Sequence, residues 1–218
     1  MSSPFKTSVK ICGLSTPEAV SAAVEGGAAY LGFVFFEKSP RNLTPEAAAR
    51  LVAPVRGGPV KTVAVTVDPD DVLIDRLMAT MQPDLIQVHG RETPARVRQI
   101  AERSGVGVIK ALSVSSSSDV DQARAFETVA EQFLFDARPV EGSVLPGGTG
   151  ARFDWTLLQG RRFSRPHFLA GGLDPWNVAD AIRVSGAPLL DVSSGVERGP
   201  GLKDPALITA FLDAVKRV

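Results

Sequence analysis

Only one cysteine, Cys12, stands among 218 residues. No disulfide can form within the chain, and a lone thiol suits a reducing compartment. Neither sign of charge is in excess: 24 Lys and Arg face 24 Asp and Glu, a formal net charge of zero. The basic patch that a nucleic-acid or membrane-surface partner needs is therefore not expected. No apolar run approaches the roughly 20 residues that span a bilayer, and the opening MSSPFKTS lacks the apolar core of a signal peptide. These absences predict a soluble, cytoplasmic protein. What remains is an ordinary globular mixture, 44% hydrophobic and 22% charged, with enough apolar material for a sizeable core.

Eight short apolar, β-branched runs recur along the chain: VKIC (9–12), AYLGFVF (29–35), VKTVAVTV (60–67), DLIQVH (84–89), GVIKALSV (107–114), QFLFDA (132–137), PHFLAG (166–171) and PLLDVS (188–193). Each reads as a strand buried on both faces. Helix signals fill the gaps. Thr16-Pro17, Thr44-Pro45 and Thr93-Pro94 place Thr at the N-cap and Pro at the first helical position. Asp174-Pro175 predicts the start of a seventh helix and Asp204-Pro205 an eighth, while the sixth, near Asp154, looks short. Gly26-Gly27 and Gly105 mark helix ends. Alternation of this kind implies a parallel sheet with right-handed crossovers. Eight units favour closure into one (β/α)8 barrel domain over residues 1–218. An open doubly wound sheet is the alternative, but its GxGxxG fingerprint after the first strand is absent. Residues 138–153, rich in Gly and Pro, predict a long mobile loop over the barrel mouth, since loops of that length are usually functional.

Active sites of such barrels lie where strands end. Side chains alternate along a strand, so Lys10 shares a face with Cys12, and Gln87 with His89. Lys110 lies in the fifth run, Asp136 ends the sixth and Asp191 the eighth. Burying these charges unpaired is costly; the economical account is a paired polar cluster lining the upper barrel. Singly, each has a bland reading as a cap or a small core residue; together at separate strand ends they point to a site. Gly171-Gly172 and Ser193-Ser194-Gly195, after strands seven and eight, offer backbone N–H groups suited to a phosphate. Ordinary turn glycine is the plainer reading of either alone.

Several motifs, in order, resemble those of the phosphoribosylanthranilate isomerase family. They are Lys10-Ile11-Cys12-Gly13, Gly32-Phe33-Val34-Phe35 with Lys38-Ser39-Pro40-Arg41, Gln87-Val88-His89-Gly90, Phe135-Asp136, Gly147-Gly148-Thr149-Gly150 with Phe153-Asp154-Trp155, Leu169-Ala170-Gly171-Gly172-Leu173, Asp191-Val192-Ser193-Ser194-Gly195-Val196-Glu197 and Pro200-Gly201-Leu202-Lys203-Asp204. The resemblance covers nearly the whole chain from about residue 9. It implies an Amadori rearrangement of an aminoaldose phosphate to a ketose, in tryptophan biosynthesis, with no metal or organic cofactor. It implies Cys12 as general base, Asp136 as general acid and Arg41 as the grip on the anthranilate carboxylate, through two parallel hydrogen bonds. Lys10, Gln87, His89, Asp191, Ser193, Ser194 and the glycines 171, 172 and 195 complete the expected substrate site. For His89 a structural hydrogen-bonding role is the heavier reading. Trp155 and Trp176, at helix starts, are expected to be packing residues. The third strand departs from the family pattern at Thr66-Val67-Asp68-Pro69, which bears on the pocket wall.

The chemistry needs an acid to protonate the furanose oxygen and a base to take the proton at sugar C2. Ordinary values of about 8.5 for a thiol and about 3.9 for a carboxyl are in the wrong order for that task, and Lys10 is placed to favour the thiolate. Two rivals remain: a histidine-pathway aminoaldose isomerase, which uses two aspartates where this chain has Cys12, and a non-catalytic phosphate-binding barrel, which has no need of both Cys12 and Asp136. A monomer and a homodimer are both compatible with the sequence.

Overall fold

The computed structural model describes residues 7–138, 142, 145, 147, 148 and 150–218. Residues 1–6 of the expected domain, and 139–141, 143, 144, 146 and 149 of the expected mouth loop, lie outside the described residues. All eight expected strands form and close into a parallel barrel: β1 (Ser8–Cys12), β2 (Tyr30–Phe35), β3 (Lys61–Thr66), β4 (Leu85–Val88), β5 (Gly107–Val114), β6 (Gln132–Ala137), β7 (His167–Leu169) and β8 (Leu189–Val192). The seam between β1 and β8 sets Lys10 opposite Asp191, and β1 meets β2 with Cys12 opposite Gly32. An open sheet is thereby excluded.

Each strand is apolar on both faces because each face meets its own core. Outward side chains such as Ile11, Phe33, Ile86, Phe135 and Leu190 pack beneath the helices, while Val63, Val65, Leu85, Ile109, Leu134 and Phe168 fill the barrel. The helices are α1 (Pro17–Glu25), α2 (Pro45–Val52), α3 (Asp71–Thr80), α4 (Pro94–Ser104), α5 (Ser117–Asp121), α6 (Val178–Ser185) and α7 (Pro205–Lys216). The Thr-Pro starts hold: Thr16, Thr44 and Thr93 accept from the amides of Ala19, Ala47 and Arg96. Gly105 closes α4 at φ 70°, in the left-handed region where glycine carries no steric penalty. Among the described residues no helix is long and apolar enough to cross a membrane.

Four expectations need correction. Asp174-Pro175 does not open a helix; Asp174 Oδ1 accepts from the amides of Trp176 and Asn177, and this turn delays the start of α6 to Val178. Trp176 is not a packing residue but 78% exposed, whereas Trp155 packs against the core. Among the described residues the sixth crossover carries only a 3-10 turn, Trp155–Leu158. Lys110 faces away from the barrel mouth. It alternates out of phase with the inward Ile109 and Ala111, and its Nζ donates to Glu92 Oε2 at 2.6 Å and to the Gly90 carbonyl at 2.9 Å. The departure at Asp68 is also located: Asp68, at φ 46°, accepts from the Arg91 amide at 2.7 Å, and Val67 lines the cavity at the barrel mouth in its place.

His167 is buried on β7 among aromatic rings, 4.6 Å from Phe163 and 5.7 Å from Phe135 between centroids. Burial lowers its pKa to about 4. A histidine held neutral in the fold contributes its stability above its unfolded value of about 6.5 and loses it as pH falls toward 4. Urea unfolding is expected to show about 2 kcal/mol less stability at about pH 4.5 than at pH 7 from this residue alone. The stability of His167→Phe should fall less over that interval by the same amount. Parallel pH profiles for the two proteins would refute this.

Candidate active site

The barrel mouth is built from strand ends and the loops that follow them. On β1 the alternation that buries Ile11 outward turns Lys10 and Cys12 inward. Lys10, fully buried, donates to Asp191 Oδ1 across the seam at 2.8 Å. Burial alone would lower the Lys10 pKa, but Asp191 and Cys12 together outweigh it and hold the ammonium above the ordinary lysine range. Burial dominates at Cys12 as well and pushes its thiol up; Asp191 adds to the rise, and Lys10 and Lys203 oppose it. Lys10 does favour the thiolate, as expected, but its charge is already shared with Asp191 and does not win. Gly32 makes room for the thiol: a Cβ there would lie 3.1 Å from Cys12 Sγ.

Across the mouth, β6 delivers Asp136. Its Oδ1 accepts from the Ala137 amide at 2.9 Å and its Oδ2 faces His89 Nε2 at 3.5 Å. Gln87 approaches His89 Nδ1 at 3.3 Å. The chain at Gly147 lies on both groups, since a Cβ there would be 2.3 Å from Asp136 Oδ2 and 2.7 Å from His89 Cε1. His89 thus has a structural hydrogen-bonding role and also faces the cavity.

Arg41, 6% exposed, follows β2. Its two parallel hydrogen bonds are already made within the protein, Nε to Glu197 Oε1 at 2.7 Å and Nη2 to Glu197 Oε2 at 2.8 Å. Nη2 also donates to the Gly148 carbonyl at 3.2 Å. Glu197 starts a small hairpin, β9 (Glu197–Gly199) and β10 (Leu202–Lys203), and its carboxylate also pairs with Lys203 Nζ. Burial pushes the Glu197 pKa up, but the Arg41 hydrogen bonds and Lys203 outweigh it and hold it below the usual carboxylate range. Lys203 Nζ reaches the Ser193 carbonyl at 3.1 Å, and Ser193 Oγ donates to the Cys12 carbonyl at 3.1 Å.

The loops after β7 and β8 form a second recess that joins the first, because both share Asp136, Gly148, Asp191 and Ser193. Gly171 and Gly172 take positive φ, 86° and 63°. A Cβ at Gly195 would sit 1.8 Å from the Leu173 carbonyl oxygen, so only glycine lets the two loops meet. The amides of Ser194 and Gly195 lead a 3-10 turn and have no intrahelical acceptor.

Cys12, Arg41, Gln87, His89, Asp136, Asp191 and Ser193 therefore line one cavity, and Gly171, Gly172 and Ser194 the adjoining recess; Gly195 is not among the lining residues and packs against Leu173. Lys10 lies beneath the floor rather than on it. Sequence reasoning assigned no role to Gly32, Gly147, Gly148, Glu197 or Lys203. Glu197 and Lys203 stood at the end of one motif and within the next, with no hint of the distant arginine that Glu197 holds. Among the described residues no cluster of three or more His, Cys, Asp or Glu is arranged to hold a metal ion.

Comparison with known proteins bears directly on this geometry. The profile of the family described as N-(5'-phosphoribosyl)anthranilate (PRA) isomerase matches residues 9–214. The N-(5'-phosphoribosyl)anthranilate isomerase of Caulobacter sp. strain K31 is 85% identical over 209 residues, 96% of this chain and 98% of that protein. The Caulobacter vibrioides protein of the same name is 81% identical, over 95% of each chain. The crystal structure of phosphoribosyl anthranilate isomerase from Thermotoga maritima superposes with a TM-score of 0.86 at 37% identity, covering 97% of this chain and 100% of that one. A related structure, at 36% identity and TM-score 0.83 over 97% and 100% of the two chains, is a complex with reduced 1-(o-carboxyphenylamino)-1-deoxyribulose 5-phosphate. With a closed barrel, a thiol and a carboxyl across one cavity and this coverage, the chain belongs to the N-(5'-phosphoribosyl)anthranilate isomerase family.

Proposed function

We propose that the family's isomerisation, a step of tryptophan biosynthesis, is performed here by Cys12 as general base and Asp136 as general acid. The observation that carries this reading is that both side chains line one cavity, which continues into the glycine loops after β7 and β8. In this reading Asp136 gives its proton to the furanose ring oxygen; the ring C–O bond breaks and the nitrogen lone pair forms a Schiff base. Cys12, in its thiolate form, then takes the proton at sugar C2 and becomes the thiol, and the electron pair left there moves to neutralise the iminium nitrogen. The resulting enolamine tautomerises to the ketone of 1-(2-carboxyphenylamino)-1-deoxyribulose 5-phosphate. The steps call for no metal or organic cofactor. The amides of Gly171, Gly172, Ser194 and Gly195 hold the phosphate, with Ser193 beside them, and Asp191, held by Lys10, forms the floor. Gln87 and His89 line the wall beside the acid. Arg41 meets the anthranilate carboxylate through Nη1. A single barrel domain acting in the cytoplasm on this small phosphorylated aminosugar, as a monomer or homodimer, fits the reading; nucleic acid and membrane have no part in it.

Serine is a very poor base near neutral pH, so Cys12→Ser should lose far more activity than its change in volume suggests. Asp136→Asn should be comparably damaged while still folded. Both should still bind product. Steady-state kinetics on each purified variant decides the roles: a kcat above about a tenth of the parent value, when a lost acid or base removes at least about a hundredfold, removes that residue from the mechanism.

Arg41→Ala should act mainly on binding. Loss of a hydrogen bond to a charged group costs about 1.5–3 kcal/mol, or about ten- to a hundredfold in KM. Unchanged KM and kcat would eliminate the assigned contact. For the phosphate, crystals grown with product should place the dianion on the amides of Gly171, Gly172, Ser194 and Gly195. A phosphate bound at any other loop would overturn that assignment.

A further inference from the structure

Glu197 and Lys203 take no part in the proposed proton transfers, yet both are buried in the wall that holds Arg41. The Glu197 carboxylate takes Arg41 Nε and Nη2 at 2.7 and 2.8 Å on one side. On its other side it takes Lys203 Nζ, and the Gly201 amide at 3.2 Å. A guanidinium has one N–H on Nε and two on each terminal nitrogen. With the Gly148 carbonyl also on Nη2, the Nε–H and both Nη2 hydrogens are engaged. Nη1 has no partner among the described residues. Its surroundings are also kept open, because a Cβ at Gly148 would lie only 3.0 Å from it. The stem of Arg41 is pinned as well: a Cβ at Gly13 would be 2.5 Å from Arg41 Cδ.

We infer that Glu197, itself anchored by Lys203, is a positioning residue that aims Arg41 so that Nη1 meets the aryl carboxylate, and thereby sets preference for an anthranilate-type over an aniline-type substrate. The inference rests on the proposed contact between Arg41 and that carboxylate. An arginine on a loop samples many rotamers, and a bidentate carboxylate is the partner that fixes a guanidinium in both position and plane. Glu197 also balances the charge of two buried cations, so that the pocket presents one directed donor group rather than a diffuse positive field.

The readout is the ratio of kcat/KM for N-(5-phosphoribosyl)anthranilate to that for N-(5-phosphoribosyl)aniline, which lacks the carboxylate. Folded fraction, thiol reactivity and phosphate binding affect both substrates alike and cancel in the ratio. Arg41→Ala should lower the ratio by about tenfold or more, and Glu197→Gln by about tenfold. The double variant should fall no more than about twofold below Arg41→Ala, as expected of two residues acting as one unit. Glu197→Asp keeps the charge toward Lys203 but withdraws it by one methylene; its ratio should be intermediate, and it decides the matter alone if Glu197→Gln fails to fold. A ratio unchanged in Arg41→Ala would remove the carboxylate contact itself. A ratio lowered in Arg41→Ala but unchanged in the Glu197 variants would overturn the positioning role and leave the contact standing. Additive losses in the double variant would likewise overturn it, since Glu197 would then act by some route other than Arg41.

Discussion

A fully buried lysine ammonium is tolerated only against a carboxylate, and the Lys10–Asp191 pair meets that demand across the seam where the barrel closes. Much of the site follows from it. Leaving either partner alone in the interior would cost several kcal/mol, so β1 and β8 are held in the register that sets them opposite. In that register Cys12 stands two residues beyond Lys10 on the same face, and Ser193 two beyond Asp191. The placement of the thiol, of the cavity floor and of the first residue of the loop after β8 thus follows from one ion pair. The same pair has a chemical cost for Cys12, because Asp191 shares the cation that favours the thiolate and itself disfavours it.

The barrel was legible because its signals are local. Apolar runs of strand length, Thr-Pro helix starts and glycine stops each act within a few residues, and all eight strands were found from them. Lys10, Cys12, Asp136 and Asp191 were legible for a related reason, since polar residues in an apolar strand end must face a site or a partner. Lys110 shows where that inference fails: the same rule is satisfied on the outer face by Glu92, and only strand phase separates the two cases. The turn after Asp174 fails differently, because an Asx-type turn and a helix start share their first residues and the choice depends on Asn177. The Arg41–Glu197 fork lay beyond sequence reasoning altogether. Its partners are 156 positions apart, and nothing local says that an arginine's fork will be filled from within.

The electrostatics of the mouth divide into two regions with different tasks. Around the thiol, a lysine and an aspartate oppose each other and burial decides, raising the Cys12 pKa. Around Arg41, a single carboxylate serves two cations and is held ionised by both. Ser193 touches both regions, with its hydroxyl on the Cys12 carbonyl and its own carbonyl on Lys203. The two regions are therefore mechanically joined through the loop after β8.

Two buried cations from the first 41 residues, Lys10 and Arg41, find their counterions between residues 191 and 197. During synthesis the chain emerges from its N-terminus and its early strands are made long before those carboxylates exist. Contacts separated by 181 and 156 residues are also among the slowest to form once the chain is free, because the longest loops must close first. A chain lacking the last strand would hold two unneutralised charges where its core should be, and no pocket. The ion pairs thus tie this cavity to closure of the barrel: neither cation meets its carboxylate until β8 and the hairpin after it are in place.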